Sequence, residues 1–275
     1  MTLRIAPETI GRRRFRKPEG FAPFQDRTFV RLMVSELSSA VPIYPLAFLP
    51  MGERLSLVAL LGLVRERNLY IGKQGKWLSP YIPAQCRRHP FALEIDPDGS
   101  RHLSLEAPEA NLTEESAEDS KNTTALYDDS GAPTAFLDRM QRFLDRLTDE
   151  QSATDRAATL LREAGVLEEW PIRVALAEGE EEVISCYLRV SESALTALSD
   201  AAFLRLRREG ALPIAYAQLL SMRNIKTLAW MYRMREARTE GNLTGLPSLE
   251  GLAYSEITED GVVGEGEGDS FDFGR

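Results

Sequence analysis

The residues best suited to chemistry lie in one short stretch, GKWLSPYIPAQCRRHPF, which runs from Gly75 to Phe91. Its candidate ligand-binding residues are Trp77, Tyr81, Arg87, Arg88 and His89. Three prolines stiffen the backbone between them, and arginine forks suit carboxylates or other anions. The stretch therefore predicts a site for a small anionic ligand. The alternative is that the aromatic rings belong to the core and the arginines satisfy carbonyl or carboxylate groups.

The same stretch contains half of a zinc-like spacing, because Cys86 and His89 stand three residues apart. His102 and Cys186 would complete a set of four ligands, but their positions show no local zinc pattern. We interpret the two cysteines as structural and predict neither a metal site nor any other cofactor.

Familiar catalytic motifs are absent from the sequence. It has no GxxxxGK[ST] phosphate loop, no GxGxxG after a strand, no GxSxG nucleophile motif and no HExxH. General-base chemistry has few candidates, since His89 and His102 are the two histidines. We assign no catalytic residue and lean towards a protein that is not an enzyme.

A second candidate surface lies on the last predicted helix, which begins near Pro213 and continues to about Arg238. A helical wheel puts its predicted core face at Ile214, Ala217, Ile225, Leu228 and Tyr232. The opposite side carries Arg223, Lys226, Trp230 and Arg233. A tryptophan among three cations suits a docking partner or phosphate groups. The alternative is that Trp230 packs on a neighbour and the cations are solvated or paired.

The elements that must position these residues divide the chain into a β-rich half and an α-rich half. Between residues 27 and 106, short apolar runs bounded by Pro, Gly, Asn or Asp predict strands. Turns at residues 73–76 and 97–99 indicate hairpins. Thr134 begins one long helix or two, ending at Gly165; a hairpin over Gly179 and a helix capped by Ser199 follow. The predicted fold is α+β, with a mixed, largely antiparallel sheet in the N-terminal half and helices mainly in the C-terminal half.

Charge is distributed unevenly along the 275 residues, whose net charge is −9. Residues 1–20 carry +4, residues 107–130 carry −6 and residues 240–275 carry −8, so the remainder is near +1. We predict a basic flexible arm at 1–20, a single α+β domain at 21–238 with an acidic flexible loop at 107–132, and an acidic, glycine-rich, disordered tail at 239–275. Phe271 and Phe273 would anchor that tail if it docks.

The composition excludes several classes of protein. The longest apolar run, Ser56 to Val64, is far short of a membrane span, and the first residues contain no apolar signal region. We therefore expect a soluble cytoplasmic protein without a membrane span. The acidic segments disfavour nucleic acid as a partner, because they compete for the same cations.

Six segments together resemble the SapC family of bacterial proteins. They are VSELSSAVPIYPLAF, ALLGLVRERNLYI, GKWLSPYIPAQCRRHPFAL, DPDG, REAGVLEEWPI and LSDAAFLRLRREGALPIAYAQLLSM, and the resemblance runs from about Arg27 to Met222. Relatives in this family are often encoded beside TonB-dependent receptors and proteins resembling tryptophan halogenases. The resemblance thus implies an accessory role with a protein partner in such a system. Family members labelled as peptide transporter permeases would need membrane spans, which this sequence does not show.

Three functions are consistent with these observations. The first is a non-enzymatic cytoplasmic binding or accessory protein. The second is an enzyme or small-ligand-binding domain that uses the region of Tyr81, Arg87, Arg88 and His89. The third, implied by the name of the family, is a protein associated with the surface layer, which would be exported by an uncleaved C-terminal signal in its acidic tail.

Overall fold

The computed structural model describes residues 2–63, 67–114, 122–175 and 181–239. The chain divides into two compact units, each built from two separate stretches. The first unit contains Met1–Gln25 and Ile71–Ala153, and the second contains Asp26–Tyr70 and Thr154–Arg275. The single domain predicted for residues 21–238 stays a prediction.

Two small antiparallel sheets form the first unit. One has the order β1 (Thr2–Arg4), β7 (Arg101–Glu106), β6 (Phe91–Ile95). The other has the order β8 (Leu112–Thr113), β2 (Arg14–Arg16), β9 (Thr123–Ala125). The short helices are α1 (Pro7–Ile10), α3 (Ala84–Arg87) and α4 (Pro108–Asn111). The turn predicted at 97–99 is confirmed as the β6–β7 connection, with Gly99 at φ +85°.

Aromatic rings join the elements of this unit. The Phe15 ring of β2 lies 4.7 Å from that of Phe91 in β6 and 5.7 Å from that of Phe136. Phe136 belongs to the long helix α5 (Ala135–Glu163), whose residues up to Ala153 lie in this unit. These ring contacts bury apolar surface between the two small sheets and α5.

Residues 2–20, for which the sequence predicted a flexible arm, contain secondary structure. They contribute β1, α1 and β2, and Ile10 and Phe15 are buried. Phe15 lies between two arginines on a strand, so alternation sends its ring inward and their charged groups elsewhere. The Arg14 guanidinium donates to the Thr123 hydroxyl at 2.9 Å.

The region predicted as an acidic loop, 107–132, is partly structured. Its described residues supply α4, β8 and β9, and Tyr127 and Pro133 form an isolated bridge. Residues 115–121 lie outside the described part of the chain, as do residues 240–275, including Phe271 and Phe273.

The second unit is built on a five-stranded antiparallel sheet. Its order is β10 (Leu167–Glu169), β13 (Leu188–Val190), β4 (Leu46–Met51), β5 (Arg54–Leu60), β3 (Phe29–Arg31). A separate hairpin pairs β11 (Ile172–Ala175) with β12 (Glu181–Ile184), as predicted, although residues 176–180 at its tip are not described. From Leu55 to Leu60 every residue of β5 is buried, as expected of a strand covered on both faces.

Helices follow the sheet in sequence. They are α6 (Glu192–Thr196), α7 (Asp200–Arg208), α8 (Leu212–Ser221) and α9 (Asn224–Thr239), with α2 (Leu37–Ala40) earlier in the unit. The predicted N-cap is confirmed: the Ser199 hydroxyl accepts from the backbone N–H of Ala202. The predicted α+β class is also confirmed, and every strand pair is antiparallel in the described residues.

The last helix is broken, whereas the sequence predicted a continuous one from Pro213 to about Arg238. α8 ends at Ser221 and α9 begins at Asn224. Both polar residues are buried and bind backbone atoms of the second unit: Ser221 Oγ accepts from the Leu46 N–H at 3.0 Å, and Asn224 Nδ2 donates to the Val41 carbonyl at 2.7 Å. The predicted core face is nevertheless confirmed, because Ile214, Ala217, Ile225, Leu228 and Tyr232 are all buried.

Candidate functional site

Trp77, the first residue of the predicted ligand site, is held inside the first unit. Its side chain is only 7% exposed, and its ring meets Phe21 edge-on at 5.4 Å. The indole N–H donates to Ser79 Oγ at 2.9 Å, and that hydroxyl donates to the Tyr81 carbonyl at 2.8 Å. These contacts fit the alternative in which Trp77 belongs to the core and fixes the following segment.

Arg88 and His89 both contact one carboxylate, Glu106 at the end of β7. Arg88 Nη1 donates to Glu106 Oε1 at 3.2 Å, and His89 Nδ1 lies 3.2 Å from Glu106 Oε2. Arg88 also donates to the Phe91 carbonyl at 2.7 Å and to Gln85 Oε1 at 3.0 Å. These hydrogen bonds tie α3 to β6 and β7. The guanidinium group of Arg88 is therefore engaged by partners within the protein and stabilises the fold.

The ionised form of Glu106 is favoured by this arrangement. The His89 hydrogen bond lowers the pKa of the Glu106 carboxyl most, partial burial opposes that effect, and the charge of Arg88 adds to the lowering. The carboxylate is therefore a structural anchor for two of the predicted ligand-binding residues.

Tyr81 and Arg87 are arranged differently, at the surface. The Arg87 guanidinium carbon lies 5.7 Å from the ring centroid of Tyr81 and 5.9 Å from that of Phe143 on α5. Its Nε donates to the Ile82 carbonyl at 3.0 Å, while the side chain remains exposed. An arginine oriented on two rings is well placed to meet an anion.

Phe143 and Glu106 contribute to this region, although the sequence did not identify either as a site residue. Phe143 follows the apolar spacing of the predicted helix after Thr134, and Glu106 lies near the end of the last predicted strand before the acidic segment. Neither shows a local motif, because both meet their partners through tertiary structure.

The residues considered as zinc ligands have other surroundings. Cys86 is buried in the first unit and Cys186 is exposed in the second. His102 lies 3.3 Å from Glu94 Oε2 and 3.3 Å from Asp96 Oδ2. In the described part of the chain, no group of three or more His, Cys, Asp or Glu side chains is arranged to hold a metal ion.

The second predicted surface is divided by the break between α8 and α9. Arg223 lies in the break and is exposed. Lys226, Trp230 and Arg233 share one face of α9 at spacings of four and three, but Lys226 and Trp230 are partly buried. The structure thus keeps three of the four residues on one helical face, with Arg233 its exposed member.

A groove of about 810 Å³ lies elsewhere in the second unit, between α6, α7 and α8. Its apolar lining consists of Leu195, Leu198, Phe203, Tyr216, Leu219 and Leu220. Leu220 is 67% exposed and Tyr216 is 46% exposed, which is unusual for large apolar side chains on neighbouring turns of one helix. The charged lining residues are Glu192 and Asp200, each in the first turn of its helix.

The groove was not predicted, although its parts are visible in the sequence. Tyr216 and Leu220 stand four apart in LPIAYAQLLS, on the side away from the predicted core positions Ile214 and Ala217. The sequence does not show that these side chains line a groove with Leu195 and Phe203, because that arrangement forms through tertiary structure.

The class of protein defined by these features is an α+β protein with an apolar groove on one unit and an arginine–aromatic surface on the other. The SapC family model matches residues 8–228, so the chain belongs to the SapC family. No curated protein matches the chain, and no solved structure does. In the described residues, no helix has both the length and the apolar character needed to span a bilayer.

Proposed function

We propose that this SapC family member is a non-enzymatic accessory protein that binds an amphipathic helix of a partner protein. The observation that carries the proposal is the exposed apolar groove between α6, α7 and α8, with Leu220 and Tyr216 at its surface. Contiguous exposed apolar side chains are costly in water, and they commonly mark interaction surfaces.

The shape of the groove supports a helix as the occupant. Three short helices line it, and each contributes side chains one turn apart: Glu192 with Leu195, Asp200 with Phe203, and Tyr216 with Leu219 and Leu220. Apolar anchors of an amphipathic helix recur at the same spacing and fill such grooves. Burying the exposed part of Leu220 alone would contribute about 1–2 kcal/mol to binding.

The charge at the groove indicates the polar flank of that partner helix. Glu192 and Asp200 are both acidic, so an occupant with Lys or Arg beside its apolar face would be attracted and an acidic one repelled. A small anionic ligand is disfavoured here for the same reason.

The second hypothesis, an enzyme or ligand site at Tyr81, Arg87, Arg88 and His89, receives less support. Arg88 and His89 are bonded to Glu106, which leaves Arg87 on Tyr81 as the exposed half of that cluster.

We further propose a cytoplasmic location and a partner from a system of TonB-dependent receptors and tryptophan-halogenase-like proteins, as resemblance to the family implies. Fractionation of intact cells tests the location. Recovery in the surface layer would favour the third hypothesis instead.

The proposed function is tested by comparing affinity purification with wild-type protein, Leu220→Asp and the control Ile95→Asp. Ile95 is 55% exposed on β6 of the other unit, so it matches Leu220 in chemistry but not in location. We expect a stoichiometric protein partner with wild type and the control, and its loss with Leu220→Asp. The partner is then purified, and its helix is tested as a peptide for direct binding.

A further inference from the structure

Four arginines form a second exposed surface, in the first unit. This arginine surface consists of Arg87, Arg139, Arg142 and Arg146, all of them exposed. Arg87 is contributed by α3 and the other three by α5. The arginine surface belongs to the first unit, whereas the groove of α6, α7 and α8 belongs to the second. Its role is therefore independent of the proposed function.

Aromatic rings orient the first of these arginines. The Arg87 guanidinium lies over the rings of Tyr81 and Phe143, and its Nε bond to the Ile82 carbonyl fixes the plane of the group. Part of the entropic cost of ordering a long side chain is therefore met before any ligand arrives.

The other three arginines form a stripe along α5. Their spacing of three and four residues puts them on one face, over about 10 Å of helix at 1.5 Å per residue. Phe143 lies one turn after Arg139 and three residues before Arg146, which joins the stripe to Arg87. Among the described residues, none of Arg139, Arg142 and Arg146 forms an ion pair.

Two acidic residues of the same helix, Asp145 and Asp149, are held on the adjacent face. Asp145 and Asp149 accept from Arg101 of β7 at 3.3 and 2.7 Å. These pairs border the arginine stripe with negative charge, and Asp138 and Glu150 stand four residues from Arg142 and Arg146 on the same helix. The surface is thus a narrow cationic strip between carboxylates on one side and aromatic rings on the other.

We propose that the arginine surface binds an acidic peptide segment of a protein partner in an extended conformation. Alternate side chains of an extended chain are about 7 Å apart, so two or three carboxylates match the stripe. Apolar side chains between them would contact Tyr81 and Phe143. Each arginine then donates charge-assisted hydrogen bonds to a carboxylate.

Nucleic acid fits the same surface less well. Its wider array of phosphates would meet Asp145 and Asp149 beside the stripe, and the whole chain carries −9. A single extended peptide is narrow enough to avoid those carboxylates. This difference makes the two ligands distinguishable by experiment.

The test uses the full-length protein and a fluorescent short peptide with Glu at alternate positions and Phe among the residues between them. A matched peptide has Gln in place of Glu, and a fluorescent single-stranded DNA is the third probe. The double variant Arg139→Gln/Arg146→Gln is compared with Arg207→Gln/Arg208→Gln, which removes two exposed arginines from α7.

We expect the acidic peptide to bind wild type and the α7 variant equally, and the α5 variant about tenfold more weakly, since each exposed pair contributes modestly. The Gln peptide should bind to wild type at least as weakly as the acidic peptide binds to the α5 variant. Equal binding by both double variants, equal binding of both peptides, no binding of the acidic peptide, or tighter binding of the DNA would each overturn the proposal.

Discussion

Gln218 of α8 allows the contacts of the second unit to be tested quantitatively. Its side chain is fully buried between β13 and β4, where its Oε1 accepts from the Val190 N–H at 2.9 Å and its Nε2 donates to the Leu46 carbonyl at 3.2 Å. The register Leu188↔Phe48 places Val190 opposite Leu46. The side-chain amide of Gln218 therefore bridges β13 and β4 by hydrogen bonds at the position where the backbones of these two strands are no longer paired directly.

Gln218→Leu keeps a side chain of similar size but removes both hydrogen bonds. Two buried backbone groups then lack partners, at about 1–3 kcal/mol each, so we expect a loss of roughly 2–6 kcal/mol in the free energy of unfolding. With a urea m-value near 3 kcal/mol/M, the unfolding midpoint should fall by about 1 M. Part of the usual 5–15 kcal/mol of stability would remain.

Urea unfolding followed by circular dichroism measures this change, and Gln25→Leu is the control because Gln25 is exposed. Hydrogen exchange adds a local readout: the Val190 amide should exchange slowly in wild type and faster in Gln218→Leu. A midpoint within 0.2 M of wild type, which is about 0.5 kcal/mol, together with unchanged exchange at Val190, would refute this role of the amide.

Two further predictions concern the first unit and the end of α5. Glu106→Gln should destabilise the protein at pH 7, and the difference from wild type should shrink as the pH falls through the lowered pKa of the Glu106 carboxyl, because the wild type then loses the same charge. Thermal unfolding over a pH series measures this, and a constant difference down to acidic pH would contradict it. Gly165→Ala should cost about 1 kcal/mol in unfolding free energy, because Gly165 has φ +70° after the helix and only the backbone conformation opposes a methyl group there. Equal stability in urea would show that this C-terminal turn tolerates alanine.

Local patterns predicted the elements whose stability is local. α5 follows its apolar spacing to Gly165, α7 begins after the capping Ser199, and the β6–β7 turn follows Pro97, Asp98 and Gly99. Each depends on neighbours in sequence, which propensity and spacing can represent.

Contacts between residues far apart in the sequence explain the features that local patterns did not predict. The break before α9 depends on Ser221 and Asn224, which bind backbone atoms about 180 residues away. Similarly, Arg88 and His89 resembled free ligand-binding groups because their partner Glu106 lies 18 and 17 residues later on another strand. The sequence predicted only the part of the arginine surface around Tyr81 and Arg87 for the same reason: Phe143 joins these residues only in the folded unit.

The most direct test of the proposed function is the affinity of the purified partner helix for wild type and Leu220→Asp. We expect at least tenfold weaker binding to Leu220→Asp, since about 1–2 kcal/mol of apolar contact is lost and a charge is added beside Glu192 and Asp200. Ile95→Asp should bind as wild type does. Equal affinity for wild type and Leu220→Asp, with the latter still folded, would contradict the assignment of the groove as the partner site.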